Sequence, residues 1–365
     1  MSSLHEIALT LIPGVGVITS RLLLEQFGDA EAILSASRKE LISIPGIGPK
    51  TADAILSKNF MQRAEDELKF VERYKIRILS FSSPDYPERL RNCYDAPALL
   101  YYKGNADLNS AKIISIVGTR NATEYGKELT QQLVEGLKAQ NVLVVSGLAY
   151  GIDIAAHKAC IKAAVPTVGV VGHGLDRIYP AQHRAIAESM ISAGGLLTEF
   201  ASQTKPDKEN FPKRNRIVAG IADATIVVEA GLKGGALITA ELANSYDRDV
   251  MAFPGRVNDT YSAGCNFLIK SNRAHLVTGV KDVEYLLDWI PSSGNQKTET
   301  QLSLPLNLFG EEKAVAEFLH EHGSSSFDQL QAALEIPATK LTMILLNMEM
   351  QDLIIALPGK RYRLR

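Results

Sequence analysis

The sequence predicts an α/β protein built on a Rossmann-like, doubly wound and mostly parallel sheet. Between residues 76 and 290, short runs rich in β-branched residues alternate with helical stretches. This alternation is typical of a parallel sheet with helices on both faces. The flanking segments predict an N-terminal helical domain of the helix-hairpin-helix (SAM-like) type and a C-terminal winged-helix domain.

Residues 1–75 are predicted to form the helical domain, because glycine turns separate short helical stretches there. The motif IPGVG at residues 12–16 returns as IPGIG at residues 44–48, and each copy precedes a helical stretch. Backbone N–H groups at such turns can bind a phosphate, but the same turn can serve only for helix packing. Both interpretations stay open. The candidate phosphate contacts are Gly14, Gly16, Gly46, Gly48 and Lys50.

Residues 76–290 are predicted to form the sheet domain, with helices beginning at Glu124, over residues 153–164 and near Thr239. Ligands of such sheets bind at the carboxyl ends of the strands. Glycine turns follow several of the predicted strands, so an anion site is expected at that edge. The strands are predicted at residues 113–118, 141–146, 167–171, 196–199, 224–229 and 249–253.

Residues 291–307 are polar and rich in turn-forming residues, which predicts a linker to a small domain over residues 308–365. The winged-helix prediction rests on three helical patterns followed by a hairpin. The two later helices contain one basic residue, Lys340, so we expect protein contact or regulation there rather than duplex reading. The helices are predicted at residues 311–320, 326–333 and 338–350, and the hairpin strands at 353–357 and 361–364.

The composition predicts a cytoplasmic protein with a well-filled core, since 46% of the 365 residues are hydrophobic and 22% are charged. Three widely spaced cysteines without a CxxC pair argue against a disulfide framework or a zinc site. Neither a secretory signal nor a membrane span is expected. The formal net charge is −2, so nucleic-acid binding would require a local basic patch.

Two glycine turns at predicted strand ends are candidate anion sites. The turn GTR at residues 118–120 places a hydroxyl and a guanidinium where a phosphate could dock, and SGLAYG at residues 146–151 ends the next strand. Asp153 is predicted to cap the following helix. His157, one turn further on, is predicted to be packed rather than catalytic.

The segment KPDKENFPKRNR at residues 205–216 combines five cations and two carboxylates with the aromatic residue Phe211. Cations that hold the backbone and a ring that stacks on a base suit sequence-tolerant binding of a single strand. A solvated charged loop is the alternative, but such a loop has no need of a phenylalanine. We therefore expect a basic-aromatic loop that binds single-stranded DNA.

A further glycine turn at residues 231–235 follows a buried strand and opens a helix, where N–H groups would again meet an anion. The sequence contains neither a Walker A motif nor a GxGxxG motif with an acidic partner about 20 residues on. His173 and His183 are predicted in loops without obvious partners. No cofactor and no metal site are therefore expected.

Ordered blocks between residues 115 and 270 resemble the DNA-processing protein A family (DprA, also called Smf). The resemblance implies a core that binds single-stranded DNA, forms a homodimer and, without turnover chemistry, loads RecA recombinase onto incoming DNA during natural transformation. The blocks are SIVGTR (115–120), SGLAYGIDIAAH (146–157), GHGLDRIYPAQH (172–183), TEF (198–200), FPKRNRIVAG (211–220), VVEAGLKGGALITAELA (227–243), FPG (253–255) and GCNFLI (264–269).

The resemblance also places the family's DNA pocket on the GTR turn and the KxxFPxRNR block. Glycines at the strand ends would let the DNA backbone approach closely. The predicted single-strand contacts are Gly118, Thr119, Arg120, Ser146, Gly147, Gly151, Gly172, Gly174, Lys208, Phe211, Lys213, Arg214, Asn215, Arg216, Gly234 and Gly235.

Two rival functions remain. Gly234, Gly235, Thr239 and Glu241 loosely resemble the motif of phosphoribohydrolases, nucleotide-processing enzymes of related fold, although the spacing here is longer. In that case Arg120 or Arg216 would hold the phosphate and Glu241 would assist glycosidic cleavage. The third possibility is an adaptor whose winged helix recruits partners while the core only dimerises.

Overall fold

The computed structural model describes residues 2–289, 308, 310–357 and 359–365. The chain divides into two compact units, Met1–Leu276 and Val277–Arg365. The linker predicted at residues 291–307 lies outside the described residues. The predicted domain boundaries at residues 75 and 290 stay a prediction.

Six helices precede the sheet, and two of them begin after the repeated glycine turn. Gly14 and Gly46 have φ angles of 80° and 92°, a left-handed conformation that glycine adopts at little cost. Each is followed three residues later by a helix, which confirms the predicted helix-hairpin-helix pair. The helices are α1 Ser2–Thr10, α2 Val17–Phe27, α3 Ala30–Ser35, α4 Arg38–Ile42, α5 Pro49–Ser57 and α6 Met61–Arg73.

Nine strands of the described residues form one sheet: β1 Arg77–Ser80, β2 Leu99–Gly104, β3 Ile113–Val117, β4 Leu143–Ser146, β5 Thr167–Val170, β6 Gly195–Thr198, β7 Ala224–Val227, β8 Asp249–Ala252 and β9 His275–Leu276. Their spatial order is β1-β2-β6-β5-β4-β3-β7-β8-β9. The strands from β6 to β9 in that order are parallel, and β1 and β2 are antiparallel additions at one edge. The predicted doubly wound, mostly parallel sheet is confirmed, although β1, β2 and β9 were missed.

Helices cover the sheet, so the central strands β3, β4 and β5 are buried at every residue. Full burial explains why these strands are continuous apolar runs rather than alternating ones. The helices between residues 77 and 276 are α7 Glu88–Arg91, α8 Glu124–Leu137, α9 Ile152–Ala163, α10 Arg184–Met190, α11 Asn210–Gly220, α12 Gly235–Ser245 and α13 Ala263–Lys270, and α14 Val280–Leu286 belongs to the second unit.

Two helix predictions were wrong in ways that affect the site. The basic-aromatic segment was expected to be a loop, but from Asn210 onward it forms α11. Pro212 does not prevent this, because it lies in the first helical turn, where no N–H donor is needed. Helix α12 begins at Gly235 rather than near Thr239, since its glycines were taken for a longer turn.

The C-terminal residues contain three helices and a small sheet, as predicted. Strands β11 and β12 form the antiparallel hairpin, and β12 also pairs with β10. Lys340 on the last helix forms an ion pair with Glu311 at 2.7 Å, and a role of this domain in protein contact stays a prediction. The elements are α15 Gly310–His322, β10 Ser325–Ser326, α16 Phe327–Leu334, α17 Ala338–Met350, β11 Ile354–Leu357 and β12 Arg361–Leu364.

A buried carboxylate joins the helical segment to the sheet. Glu67 on α6 is 1% exposed and accepts hydrogen bonds from the backbone N–H and the hydroxyl of Ser202, which follows β6. Arg63, one turn earlier on α6, lies 2.9 Å from the Glu67 carboxylate and donates to the Ser202 carbonyl. The carboxylate is therefore paired, as a buried charge must be.

Replacing Glu67 by Gln is expected to lower the free energy of unfolding by about 2 kcal/mol, because the buried ion pair is broken. Denaturant unfolding followed by circular dichroism measures the change. The matched control is Asp53→Asn, which breaks the exposed pair between Asp53 and Arg38 and should leave the transition in place. Equal effects of the two substitutions would contradict the assignment.

Candidate nucleic-acid interface

A cleft of about 710 Å³ opens at the carboxyl ends of β3 and β7. These strands are neighbours in the sheet, but β3 leads to β4 on one side and β7 leads to β8 on the other. The loops therefore diverge and leave a crevice, which is where ligands of doubly wound sheets bind. The predicted contacts that line the cleft are Gly118, Thr119, Arg120, Lys208, Phe211, Arg214, Asn215, Gly234 and Gly235.

The turn after β3 forms the floor of the cleft and is held from two sides. The backbone N–H of Thr119 donates to the Glu229 carbonyl at 2.7 Å, and the Thr119 carbonyl accepts from Ile152 at 3.2 Å. Gly151 has a φ of 81°, and a Cβ there would lie 2.0 Å from the Thr119 carbonyl oxygen, so glycine is required. This packing fixes the backbone that presents the exposed side chain of Arg120.

The start of α11 forms the wall beside that turn. The Arg120 guanidinium lies 5.4 Å from the centroid of the Phe211 ring, in a cation–π contact. Lys208, just before the helix, is exposed and lines the same cleft. Two cations and a partly exposed ring thus share one wall, although DNA contact by them stays a prediction.

A buried ion pair lies beneath this wall. Arg214 on α11 and Asp153 on α9 are 6% and 7% exposed, and their charged atoms lie 3.9 Å apart. Burial raises the pKa of Asp153 and lowers the pKa of Arg214, while the attraction between the two opposes both shifts. Gly147 leaves room for the pair, since a Cβ there would lie 1.7 Å from Arg214 Nη1.

The predicted capping role of Asp153 is therefore wrong. The N-cap position of α9 belongs to Gly151, and Asp153 lies inside the first turn. Its carboxylate instead accepts from the Ala149 backbone at 3.4 Å and pairs with Arg214.

Some predicted contacts are not available to a ligand in the cleft. Ser146 is fully buried and donates its hydroxyl to the Ile116 carbonyl at 2.6 Å. Arg216 is 8% exposed and forms an ion pair with Glu199 while donating to the Asp95 carbonyl. Both predictions are corrected here, because these side chains are bound inside the fold. Among the described residues, Lys213 and Gly174 also lie outside the cleft lining.

The remaining glycines have different surroundings. Gly172 lines a smaller recess next to the cleft. Gly16 and Gly48 are the extended N-cap residues of α2 and α5, and Lys50 is exposed on α5. The helical repeat is not among the described residues that line the cleft. Its contact with DNA stays a prediction.

The opposite wall contains the glycine turn before α12. Asn215 donates from its side chain to the Gly235 carbonyl at 3.3 Å, which ties α11 to that turn. Asn121, Lys233 and Tyr261 also line the cleft and were missed. Lys233 could have been found as a cation inside a predicted anion-binding turn, whereas the other two belong to no motif.

The arrangement expected for a phosphoribohydrolase is not assembled here. Glu241, the proposed acid, forms an exposed ion pair with Arg273 at 3.2 Å and is not one of the described residues that line the cleft. Thr239 is buried, and its hydroxyl donates to the Gly235 carbonyl. Arg216, one of the two proposed phosphate ligands, is bound to Glu199.

All three histidines of this region are buried, and each has at least one ring nitrogen with a hydrogen-bond partner. His157 contacts Thr167 Oγ1 at 2.8 Å and the Gly147 carbonyl at 2.6 Å, and burial lowers its pKa to about 4. The predicted packing role of His157 is confirmed. His173 contacts the Gly174 carbonyl and His183 the Leu148 carbonyl, so the expectation that they lack partners was wrong.

The described residues contain no cluster of His, Cys, Asp and Glu side chains with the geometry of a metal site. Each described helix is too short or too polar to span a bilayer.

The protein-family model described as "DNA recombination-mediator protein A" matches residues 77–288. Residues 6–58 match a SAM-like helix-hairpin-helix tandem, and residues 303–360 match the DprA winged helix domain. The DNA processing protein DprA of Streptococcus pneumoniae is 41% identical over 206 residues, which cover 56% of this chain and 72% of that protein.

Two solved structures are also similar. The X-ray structure of DNA processing protein A from Streptococcus pneumoniae has a TM-score of 0.69 and 33% identity, and covers 77% of this chain and 96% of its own. DNA processing protein A from Helicobacter pylori, whose structure is described by its single-stranded DNA binding mode, has a TM-score of 0.52 and 28% identity. That match covers 57% of this chain and 94% of the other.

Proposed function

This chain belongs to the DNA recombination-mediator protein A family, and on that basis we propose that it binds single-stranded DNA in the cleft between the ends of β3 and β7. The observation that carries the proposal is the wall on which Arg120, Lys208 and Phe211 stand together. Cations bind the phosphates of any sequence and a ring stacks on any base, so this wall suits sequence-tolerant binding. The binding mode named for the Helicobacter pylori relative supports it.

The buried guanidinium of Arg214 adds a fixed positive charge under the cleft. The residue is 6% exposed and pairs with Asp153, so it supports the cation-bearing wall from below. Gly234 and Gly235 have no side chains, so a DNA backbone can come close to the opposite wall at these two residues.

We further propose that the chain loads a RecA-type recombinase onto the bound strand during natural transformation. One support is the family's description as a recombination mediator. The other is the cleft, where Arg120, Lys208 and Phe211 suit the binding of a single strand. The enzymatic alternative has less support, because Glu241 is paired away from the cleft.

A homodimer is proposed at the β9 edge of the sheet. Phe267 on α13 and Leu276 on β9 are apolar and are 41% and 50% exposed. Arg273 connects α13 to α12, since its guanidinium lies 5.7 Å from the Phe267 ring and pairs with Glu241. An apolar edge of this kind is suited to pairing with a second copy.

Replacing Arg120 and Lys208 together by Ala is expected to weaken oligo-dT binding about 100-fold, since each charged contact to a phosphate contributes about 1.5 kcal/mol. Each phosphate contact on a single strand releases about 0.7 counterion when the complex forms. Because the variant loses two such contacts, the slope of log affinity against log salt should become shallower by about 1.4. Fluorescence anisotropy at several salt concentrations measures both.

The control is Lys213→Ala, which removes a cation from the same helix but outside the cleft lining. It should bind as the wild type does, and the matched duplex should bind more weakly than the single strand. If Lys213→Ala weakened binding as much as the replacement of Arg120 and Lys208 does, binding would depend on the basic charge of the segment as a whole and not on the cleft. A wild type without affinity for single strands would refute the proposal.

Phe267→Glu is expected to halve the molar mass measured by light scattering, because a charge at the edge cannot be buried without a partner. Val257→Glu changes another exposed apolar residue, in the loop between β8 and α13, and should leave the mass unchanged. A wild type that is already monomeric at micromolar concentration would rule out the dimer.

Recombinase loading is tested on an oligonucleotide coated with single-strand-binding protein, by following the lag before the recombinase hydrolyses ATP. The wild type should shorten the lag, and the variant lacking Arg120 and Lys208 should not, since the strand is no longer held. An unchanged lag with the wild type would remove the loading role while leaving the strand-binding role in place.

A further inference from the structure

A small recess adjoins the cleft at the carboxyl ends of β4 and β5. It shares Arg120, Phe211 and Arg214 with the cleft, and its other walls include Tyr150 and Tyr179. Its volume of about 40 Å³ is too small to enclose a nucleobase. A base at this place would therefore lie across the rings at its mouth.

Both tyrosine rings are half exposed at the mouth of the recess. Tyr150 is 45% and Tyr179 is 48% exposed. The Tyr179 ring lies 6.1 Å from the Phe211 ring with an angle of 35° between their planes. The three rings, which we call the aromatic track (Tyr150, Tyr179 and Phe211), thus continue from the cation-bearing wall of the cleft.

Two buried histidines contact the residues that carry these rings. His183 packs edge-on against the Tyr150 ring at 5.0 Å, and its Nδ1 contacts the Leu148 carbonyl at 2.9 Å. His173 Nε2 accepts from the Tyr179 backbone N–H at 3.2 Å, so its Nδ1 carries the proton and donates to the Gly174 carbonyl. The Tyr150 hydroxyl donates to Gln182 at 3.0 Å. These contacts restrain the Tyr150 ring and the backbone at Tyr179 before any ligand arrives.

We propose that the aromatic track stacks successive bases of the single strand while the cleft cations hold its phosphates. The inference rests on the proposed single-strand binding and adds Tyr150 and Tyr179 to it as base-contacting residues. What distinguishes these two rings from other exposed tyrosines is their place, since they line the recess that shares Arg120 and Phe211 with the charged wall. Pre-ordered rings also lose little conformational freedom when a base stacks on them.

Replacing Tyr150 and Tyr179 together by Leu is expected to weaken oligo-dT binding at least about tenfold, since stacking supports each base. The salt slope should stay at its wild-type value, because no phosphate contact is lost. An abasic oligonucleotide should bind the variant and the wild type equally. A loss of affinity with a shallower salt slope, or no loss at all, would overturn the proposal.

Two further measurements keep the test independent of folding. A 2-aminopurine placed in the oligonucleotide should be quenched on binding to the wild type, because its ring stacks; an increase in its fluorescence would overturn the proposal. Tyr150→Phe combined with Tyr179→Phe retains the rings and should recover most of the binding that the Leu variant loses. Tyr94→Leu, which removes a ring that is 61% exposed and elsewhere on the surface, is the matched control and should bind normally.

The two proposals fail in different ways. If the wild type does not bind single strands, the proposed function fails. If binding is lost in the variant lacking Arg120 and Lys208 but kept in the Leu variant, the cleft is correct and the aromatic track alone is wrong.

Discussion

The buried ion pair between Asp153 and Arg214 is the contact on which the cleft depends. It joins α9 to α11 beneath the wall that presents Phe211 and Lys208, with the two charged groups 3.9 Å apart. A charge inside a protein requires a partner, so each residue makes the other acceptable. The absence of a side chain at Gly147 is part of the same arrangement, because a Cβ would occupy the position of Arg214 Nη1.

The charge of the whole protein gives little indication of this site. The formal net charge is −2, yet Arg120, Lys208 and Arg214 lie along one cleft, with Lys233 on the opposite wall. Their positive potential is concentrated at the sheet edge where glycine turns expose backbone to the ligand. A strand of any sequence can bind such a surface, since phosphates and ring faces are common to all nucleotides.

The helical segment supports the site from a distance. Glu67 and Arg63 hold Ser202, which begins the segment that carries Lys208 toward α11. The chain between the sheet and the cation-bearing wall is therefore anchored in the N-terminal helices. Because Glu67 is buried and its carboxylate is both paired with Arg63 and hydrogen-bonded to Ser202, this contact fixes the position of Ser202.

The doubly wound sheet was predictable from sequence, because short β-branched runs that end in glycine and alternate with helical stretches are typical of a parallel sheet covered on both faces. The cleft residues Arg120, Lys208 and Phe211 were predictable too, since Arg120 follows a strand in a glycine turn and Lys208 and Phe211 lie in one run of cations with a single aromatic ring. The sequence alone could not show that Arg214 and Arg216 are buried whereas Lys208 is exposed. Successive residues of a helix point about 100° apart, and which side is buried depends on α9 and on Asp95 and Glu199, which are distant in the chain. Tyr150 and Tyr179, which follow β4 and β5, likewise come to line one recess only because those strands pair.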